Sequence, residues 1–271
     1  MYPLALNEGA LRTICRQLKA FLKNTIRAAN ANGAVIALSG GVDSSVTAAI
    51  AHNAVNTKAL ILPEKGTTSA QDTLDATFIA ETYTLPFTII EINDLVNCLR
   101  KTATPILPTG RSDRPSIVDA NLKPRIRMIL SYIVANADRR LVVGTSNRTE
   151  LLTGYFTKHG DGAADILPIG DLYKTQVFQL ARYLGIPERI ISKPPSAGLW
   201  FGQTDEEELG IPYPLLDQIL YQLVDSRRTA AEVARIVGVE QRRVQEIAKM
   251  VSNAEHKRRT PLVANLIDSH F

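Results

Sequence analysis

An α/β fold, with a parallel sheet flanked by helices and a helical C-terminal extension, is predicted by three features of the sequence. Short apolar runs alternate with segments of helical period as far as Gly144. A glycine- and serine-rich turn joins the first apolar run to a helical segment. Beyond residue 204 the pattern is helical, with no further strand-like run.

The elements follow in order. Residues 8–30 place Leu11, Ile14, Leu18, Phe21, Leu22 and Ile26 at helical spacing, and Asn32-Gly33 ends that helix. Ala34–Leu38 is apolar and glycine-bounded, the signature of a strand buried on both faces. Residues 44–54 then read as helix, Lys58–Leu62 as strand, 69–84 as helix, Phe87–Ile92 as strand and 93–101 as helix. The proline-rich stretch 102–119 reads as a long surface loop. A helix over 122–137 would hold Pro124 in its first turn, where the missing N–H is harmless. Arg140–Gly144 is the fourth strand, and 173–184 a helix closed by Gly185. A second flexible stretch, 192–204, precedes the C-terminal helices. The expected organisation is a single domain, 1–271, made of an α/β core (1–210) and the helical extension (211–271).

Composition narrows the function classes. The chain has 271 residues, 45% apolar and 21% charged, which excludes disorder as its main state. No run approaches the ~20 apolar residues of a membrane span. The N-terminus, MYPLALNEGALR, lacks the basic start of a signal peptide. Cys15 and Cys98 form no C-x-x-C pair, so a reduced, cytoplasmic protein is expected. Net charge is 31 − 27 = +4, and residues 225–260 alone, with nine Lys/Arg and five Asp/Glu, supply all of it. Such a segment suits nucleic acid, a phosphate-rich ligand or solubility.

The sharpest motif is Ser39-Gly-Gly-Val-Asp-Ser-Ser45 at a strand-to-helix junction. Gly40 and Gly41 let backbone approach an anion, and free N–H groups of the next helix point at it. Ser39, Ser44 and Ser45 add hydroxyl donors. Asp43 beside so many anion donors suits Mg²⁺. With no lysine after the glycines this is not a Walker A loop, and it is not G-x-G-x-x-G. Read alone, it could also be a tight turn with a helix cap. The heptapeptide resembles the pyrophosphate-binding loop of the ATP pyrophosphatase family, S-G-G-x-D-S, whose members cleave ATP between the α and β phosphates.

A second constellation spans 121–174. Asn121-Leu-Lys-Pro-Arg-Ile-Arg-Met128 opens a helix with three cations, and Gly144-Thr-Ser-Asn-Arg-Thr-Glu150 follows a strand. Gly154-Tyr-Phe-Thr-Lys-His-Gly-Asp-Gly-Ala-Ala-Asp165 mixes both charge signs with glycine, which suits a ligand bearing phosphates and a cationic ring. With Leu167-Pro168, Lys174, Pro195–Trp200, Asp205–Gly210 and His256-Lys257-Arg258, these segments closely resemble NAD synthetases of the short, ammonia-using form. Residues 101–119 match poorly.

The resemblance implies an adenine nucleotide alpha hydrolase-like, Rossmann-like fold and a homodimer with deamido-NAD⁺ near the interface. It implies amidation of deamido-NAD⁺ with ATP and ammonia through an acyl adenylate, releasing AMP and pyrophosphate. ATP would contact Ala37, Leu38, Ser39, Gly40, Gly41, Val42, Asp43, Ser44, Thr145, Lys174 and Ser196. Asp43 and Glu150 resemble the Mg²⁺ ligands. Arg125, Lys158, Asp165, His256 and Lys257 resemble deamido-NAD⁺ contacts. Asp43, Asp161 and Lys174 would be catalytic, Asp161 in a second-metal or ammonia-handling role. His159 stands where many relatives have tyrosine, and Ser196 where threonine is frequent. Cys98 lacks a nucleophile elbow or nearby base, so no glutaminase activity is expected of it. Thr229–Ile247 also has the outline of a helix-turn-helix, with a Thr229/Glu232 capping box and Gly238 at the turn. Glu240 and Glu246 after that turn would repel phosphates, so no nucleic-acid partner is expected.

Overall fold

The computed structural model describes residues 4–106, 117–200 and 202–264. Helix α1 (Glu8–Ala28) starts at Asn7, whose side chain accepts from Ala10 N–H. It leads into β1 (Gly33–Ala37), α2 (Val42–His52), β2 (Thr57–Ile61), α3 (Ala70–Thr82), β3 (Phe87–Ile89) and α4 (Asn93–Ala103). Helix α5 (Ile117–Asp138) and β4 (Arg140–Val143) complete the sheet. All pairings are parallel and the strand order is β3-β2-β1-β4. The chain winds from β1 through β2 to β3, then returns to add β4 on the other side of β1. A crevice therefore opens beyond the C-terminal ends of β1 and β4, where the winding reverses.

One face of the sheet packs on α1, α2 and α7 (Lys174–Tyr183) through Leu22, Ile36, Val46, Ile50, Val177 and Leu180. The other face packs on α4 and α5 through Val35, Leu60, Ile92, Val96, Ile126 and Val142. The remaining helices are α6 (Arg148–Thr153), α8 (Glu188–Ile191), α9 (Asp205–Leu209), α10 (Tyr213–Leu220), α11 (Ala230–Val237), α12 (Gln241–Asn253) and α13 (Glu255–Arg258). A π-helical turn, Tyr221–Asp225, extends α10. Leu209, Ile211, Tyr213, Leu216, Val233, Val244 and Ile247 form a third cluster, which reaches the core through Tyr173 and Leu4.

Three boundaries differ from the sequence reading. Helix α5 begins at Ile117, so Pro124 lies in its interior rather than its first turn. The missing hydrogen bond is tolerated where Pro124 packs tightly on Gly160; a Cβ there would lie 2.9 Å from the Pro124 ring. The 102–119 loop is shorter than expected at both ends. Helix α4 continues to Ala103 and a 3-10 turn covers Thr104–Ile106, with Thr102 and Thr104 hydroxyls bonding back to Cys98 and Arg100 carbonyls. Arg100 meets Asp119 at 3.2 Å across the remainder, of which 107–116 lie outside the described residues. Strand β3 stops at Ile89, though Ile90 and Ile92 still donate to Ile61 and Pro63 carbonyls.

Candidate active site

The glycine turn lies at the mouth of the crevice. Gly40 has φ +80°, and a Cβ on it would meet the Asp72 carbonyl oxygen at 2.2 Å. Only glycine permits both the left-handed backbone and that approach. The turn is tied internally. The Ser39 hydroxyl accepts from Gly41 N–H at 3.2 Å and lies 3.1 Å from the Ser44 hydroxyl; those of Ser44 and Ser45 donate to the Gly41 carbonyl. Gly41 caps α2 without a side chain, so the first N–H groups of an eleven-residue helix face the crevice.

Asp43, in the first turn of α2, meets residues that follow β4. Asn147 donates to Asp43 Oδ1 at 2.9 Å, and Lys174 Nζ meets Asp43 Oδ2 at 2.5 Å. The same ammonium lies 3.5 Å from Glu150 Oε1. Glu150 is fixed by a capping box, its Oε2 accepting from Asn147 N–H while the Asn147 side chain accepts from Glu150 N–H. Two carboxylates and one ammonium thus converge from α2, α6 and α7. Burial, then the Asp43 charge, pushes the Glu150 carboxyl upward, and Lys174 opposes this. Burial lowers the Lys174 ammonium, but the charges of Asp43 and Glu150 outweigh it and hold the group protonated.

Lys174 is supported from beneath. Its backbone N–H donates to the Thr149 hydroxyl at 2.9 Å, and that hydroxyl donates to Asp217 Oδ1 at 2.6 Å. Asp217 Oδ2 accepts from Thr175 N–H at 2.8 Å. Its ammonium also lies 5.3 Å from the Tyr213 ring centroid, and Tyr213 donates to the buried Asp205 at 2.8 Å.

The second constellation surrounds the segment after α6. Arg125 reaches the Lys158 carbonyl at 3.3 Å and is otherwise exposed. Lys158 is half-buried and His159, exposed, takes φ +60°. Asp161 accepts from Thr157 N–H at 2.9 Å; its surface is accessible, yet protein surrounds it closely enough that burial raises its carboxyl. Arg127 and Lys257 are close enough to interact with its charge. Asp165 holds Val142 N–H at 2.7 Å and the Tyr132 hydroxyl at 3.2 Å, so in this state it ties the loop to β4. Lys257 Nζ donates to the Gly154 and Phe156 carbonyls at 2.7 and 2.9 Å, while His256 is exposed.

The residues that the resemblance assigns to ATP lie on several segments. Ala37 ends β1, Leu38 and Val42 are buried, and Thr145 follows β4 in a half-buried position. Ser196 is exposed, its hydroxyl accepting from Gly198 N–H at 3.1 Å. The structure brings Asp43, Glu150 and Lys174 into contact; Ser196, Arg125, Lys158, Asp161 and Asp165 make their hydrogen bonds elsewhere. Sequence reasoning did not single out Asn147, although N-x-x-E before a helix is a legible capping signal. It also missed Glu64, Thr149, Lys193 and Asp217, whose partners are distant in the chain.

The arrangement offers anion-binding N–H groups, a buried cation and paired carboxylates beyond the C-terminal ends of β1 and β4. The sequence model for NAD synthase matches residues 14–261. The NH(3)-dependent NAD(+) synthetase of Archaeoglobus fulgidus is 45% identical over 264 residues, covering 96% of this chain and 98% of that protein. Among solved structures, an NMN synthetase from Francisella tularensis matches with TM-score 0.82 and 34% identity over 94% of this chain and 99% of that one. An NH3-dependent NAD synthetase from Campylobacter jejuni matches with TM-score 0.76 and 27% identity, covering 96% and 100%. With a family match spanning both the glycine turn and the 144–174 constellation, the chain belongs to the NAD synthase family.

Proposed function

We propose that this chain amidates deamido-NAD⁺ to NAD⁺ with ATP and ammonia, and that the observation carrying this reading is the Asp43–Lys174–Glu150 convergence beside the glycine turn. The nicotinate carboxylate attacks the α-phosphorus of ATP, and pyrophosphate leaves into the cradle of α2 N–H groups and serine hydroxyls. Ammonia attacks the resulting acyl adenylate and AMP departs. Adenylation is needed because a carboxylate is a poor acceptor of ammonia. Lys174, protonated and nearly buried, supplies fixed positive charge where negative charge develops.

Mg²⁺ fits the donor set. Asp43 and Glu150 converge on one point, since a single ammonium lies within 3.5 Å of both. Magnesium accepts one or two carboxylates and completes its shell with phosphate and water. When bound, the ion neutralises the departing pyrophosphate. Arg125, Lys158, Asp165, His256 and Lys257 are assigned to deamido-NAD⁺. Thr145 and Ser196 are assigned to ATP, and Asp161 to ammonia handling or a second metal.

The partner is a second copy of the chain. Helix α5 exposes Ile117, Val118, Ile129 and Ile133, and α4 exposes Leu95 and Leu99. Such an apolar face beside Arg125 suits a homodimer with substrate near the interface. The expected place of action is the cytoplasm. Among the described residues no helix is long and apolar enough to cross a membrane. Against a nucleic-acid role, Arg243 donates to the Gly210 carbonyl at 2.5 Å, and both Arg242 and Arg243 pair with Glu246.

The test is NAD⁺ formation from deamido-NAD⁺, ATP and Mg²⁺ with ammonium or with ammonia-free glutamine. Turnover with ammonium and none with glutamine is expected, and equal rates would refute the ammonia-dependent reading. Because one similar structure is named an NMN synthetase, nicotinate mononucleotide is the competing substrate. A higher kcat/KM for it than for deamido-NAD⁺ would transfer the assignment to that smaller acceptor.

A further inference from the structure

Lys123 belongs to the 121–128 motif, yet the chemistry above leaves it idle. It is 5% exposed, and its ammonium meets three acceptors on two other segments. Glu64 Oε2 lies at 2.5 Å, the Thr67 hydroxyl at 3.1 Å and the Leu199 carbonyl at 2.6 Å. Two of the lysine's three donors are taken by the Thr67 and Leu199 oxygens, and Glu64 pairs with it by charge. Glu64 and Thr67 form the turn after β2, which closes on itself through Glu64 N–H to the Thr68 hydroxyl and Thr67 N–H to the Glu64 carbonyl. This anchor stands at the C-terminal end of the sheet, on the same side as the glycine turn.

Leu199 lies in a segment, 193–200, that has neither helix nor strand. Its other end is also pinned by an ammonium. Lys193 Nζ bonds the Gly40 carbonyl at 3.2 Å, Asp72 at 2.7 Å and the buried Asp75 at 2.6 Å. One end of the segment is thus fastened to the glycine turn and to α3, the other to α5 and the β2 turn. Ser196 lies between them. Desolvating a lysine and a glutamate costs several kcal/mol per ion, and an apolar pair of similar volume often stabilises more. The pair is therefore better explained by the backbone carbonyl it captures than by stability.

We propose that Lys123 is a positioning residue for ATP: held by Glu64 and Thr67, it fixes the 193–200 segment by its Leu199 carbonyl and so presents Ser196 to the nucleotide. This rests on the assignment of Ser196 to ATP. The chain's one tryptophan, Trp200, adjoins the captured carbonyl, so its fluorescence reports this segment alone.

The experiment compares wild type, Lys123→Met and Lys123→Met/Glu64→Gln, the double variant removing the unpaired buried carboxylate that could unfold the single one. Acrylamide quenching of Trp200 and separate KM values for ATP and deamido-NAD⁺ are measured, with circular dichroism as the fold control. Expected results are a Trp200 at least twofold more quenchable, a KM for ATP raised tenfold or more, and kcat and the KM for deamido-NAD⁺ within threefold of wild type. In wild type, ATP with Mg²⁺ lowers Trp200 quenching, a measurement that needs no variant to fold. Unchanged quenching with unchanged KM for ATP overturns the proposal, and so does an equal rise in both KM values. A wild type that makes no NAD⁺ refutes the functional reading instead. An active wild type whose Trp200 ignores ATP refutes only the role of Lys123.

Discussion

Two adjacent glycines in the turn before α2 should fail in opposite ways. Gly40 has φ +80°, and an added Cβ would sit 2.2 Å from the Asp72 carbonyl oxygen and 2.9 Å from its carbon. A left-handed alanine costs roughly 1–2 kcal/mol, and relieving a backbone clash of this kind about 1–3 kcal/mol more. Gly40→Ala should therefore lose about 2–5 kcal/mol of stability, which at ~2–4 °C per kcal/mol lowers Tm by at least about 4 °C. Gly41 is different. Its φ of −89° and ψ of 168° suit any residue, and its Cβ would meet only the Ser39 hydroxyl at 3.4 Å. The methyl group of Gly41→Ala projects into the crevice, where the phosphates are assigned. Its stability should stay within about 1 kcal/mol, since lost cap preference and gained chain stiffness oppose each other. Displacing phosphate from its backbone donors should cut kcat/KM for ATP about a hundredfold. Thermal denaturation and initial rates across ATP concentration measure both. A Gly41→Ala protein with ATP kinetics within threefold of wild type would refute the cradle, and an undisturbed Gly40→Ala Tm would refute the packing argument.

The remaining predictions concern charge and support. Asp43→Asn should keep the fold and lose about a hundred- to thousandfold in kcat/KM across a Mg²⁺ titration, or ~3–4 kcal/mol; a tenfold or smaller loss would leave Asp43 only a structural partner of Asn147 and Lys174. Asp217→Asn removes one of the two acceptors facing Thr149 and Thr175, and should cost about 1–3 kcal/mol of stability by denaturant unfolding. It should also lower kcat, because Thr149 holds the Lys174 backbone; full kcat in a destabilised protein would separate Asp217 from the site. Fluorescence anisotropy with duplex DNA at near-physiological salt should show no sequence-selective binding, and tight selective binding would overturn the enzyme-only reading of α11 and α12.

What the sequence made legible was local. The β1 run, the double glycine and α2 announce themselves because apolar strand, turn and helix start are neighbours in the chain. Glu150 was named through the family resemblance, although its bond to Asn147, three residues away, is as local. The start of α5 was not, because Pro124 is a stronger stop signal than anything around it, and only packing on Gly160 shows why the helix passes through. The supports of the site were hidden more deeply. Lys123 meets Glu64 across 59 positions, and Thr149 meets Asp217 across 68. No periodicity or spacing rule couples residues that only the tertiary fold brings within 3 Å. The motif that contains Lys123 was visible while its function was not, since an exposed phosphate ligand and a buried tether look alike as letters.

The C-terminal helices do more than cover the core. Helix α6 is six residues long and ends at Gly154, with final carbonyls that no further helical turn can satisfy. Arg258 donates to the Leu151 and Leu152 carbonyls at 3.0 and 2.8 Å, and Lys257 takes those of Gly154 and Phe156. At the start of α7, Asp217 accepts from Thr175 N–H and, through Thr149, supports Lys174. So short a helix has little stability of its own. The placement of Glu150 on α6 therefore depends on donors some hundred positions downstream. The orientation of Lys174 depends likewise on an acceptor in α10. The paired carboxylates and their lysine are thus a property of the whole chain. The glycine turn, which is braced by Asp72 and Lys193, is set by the α/β core.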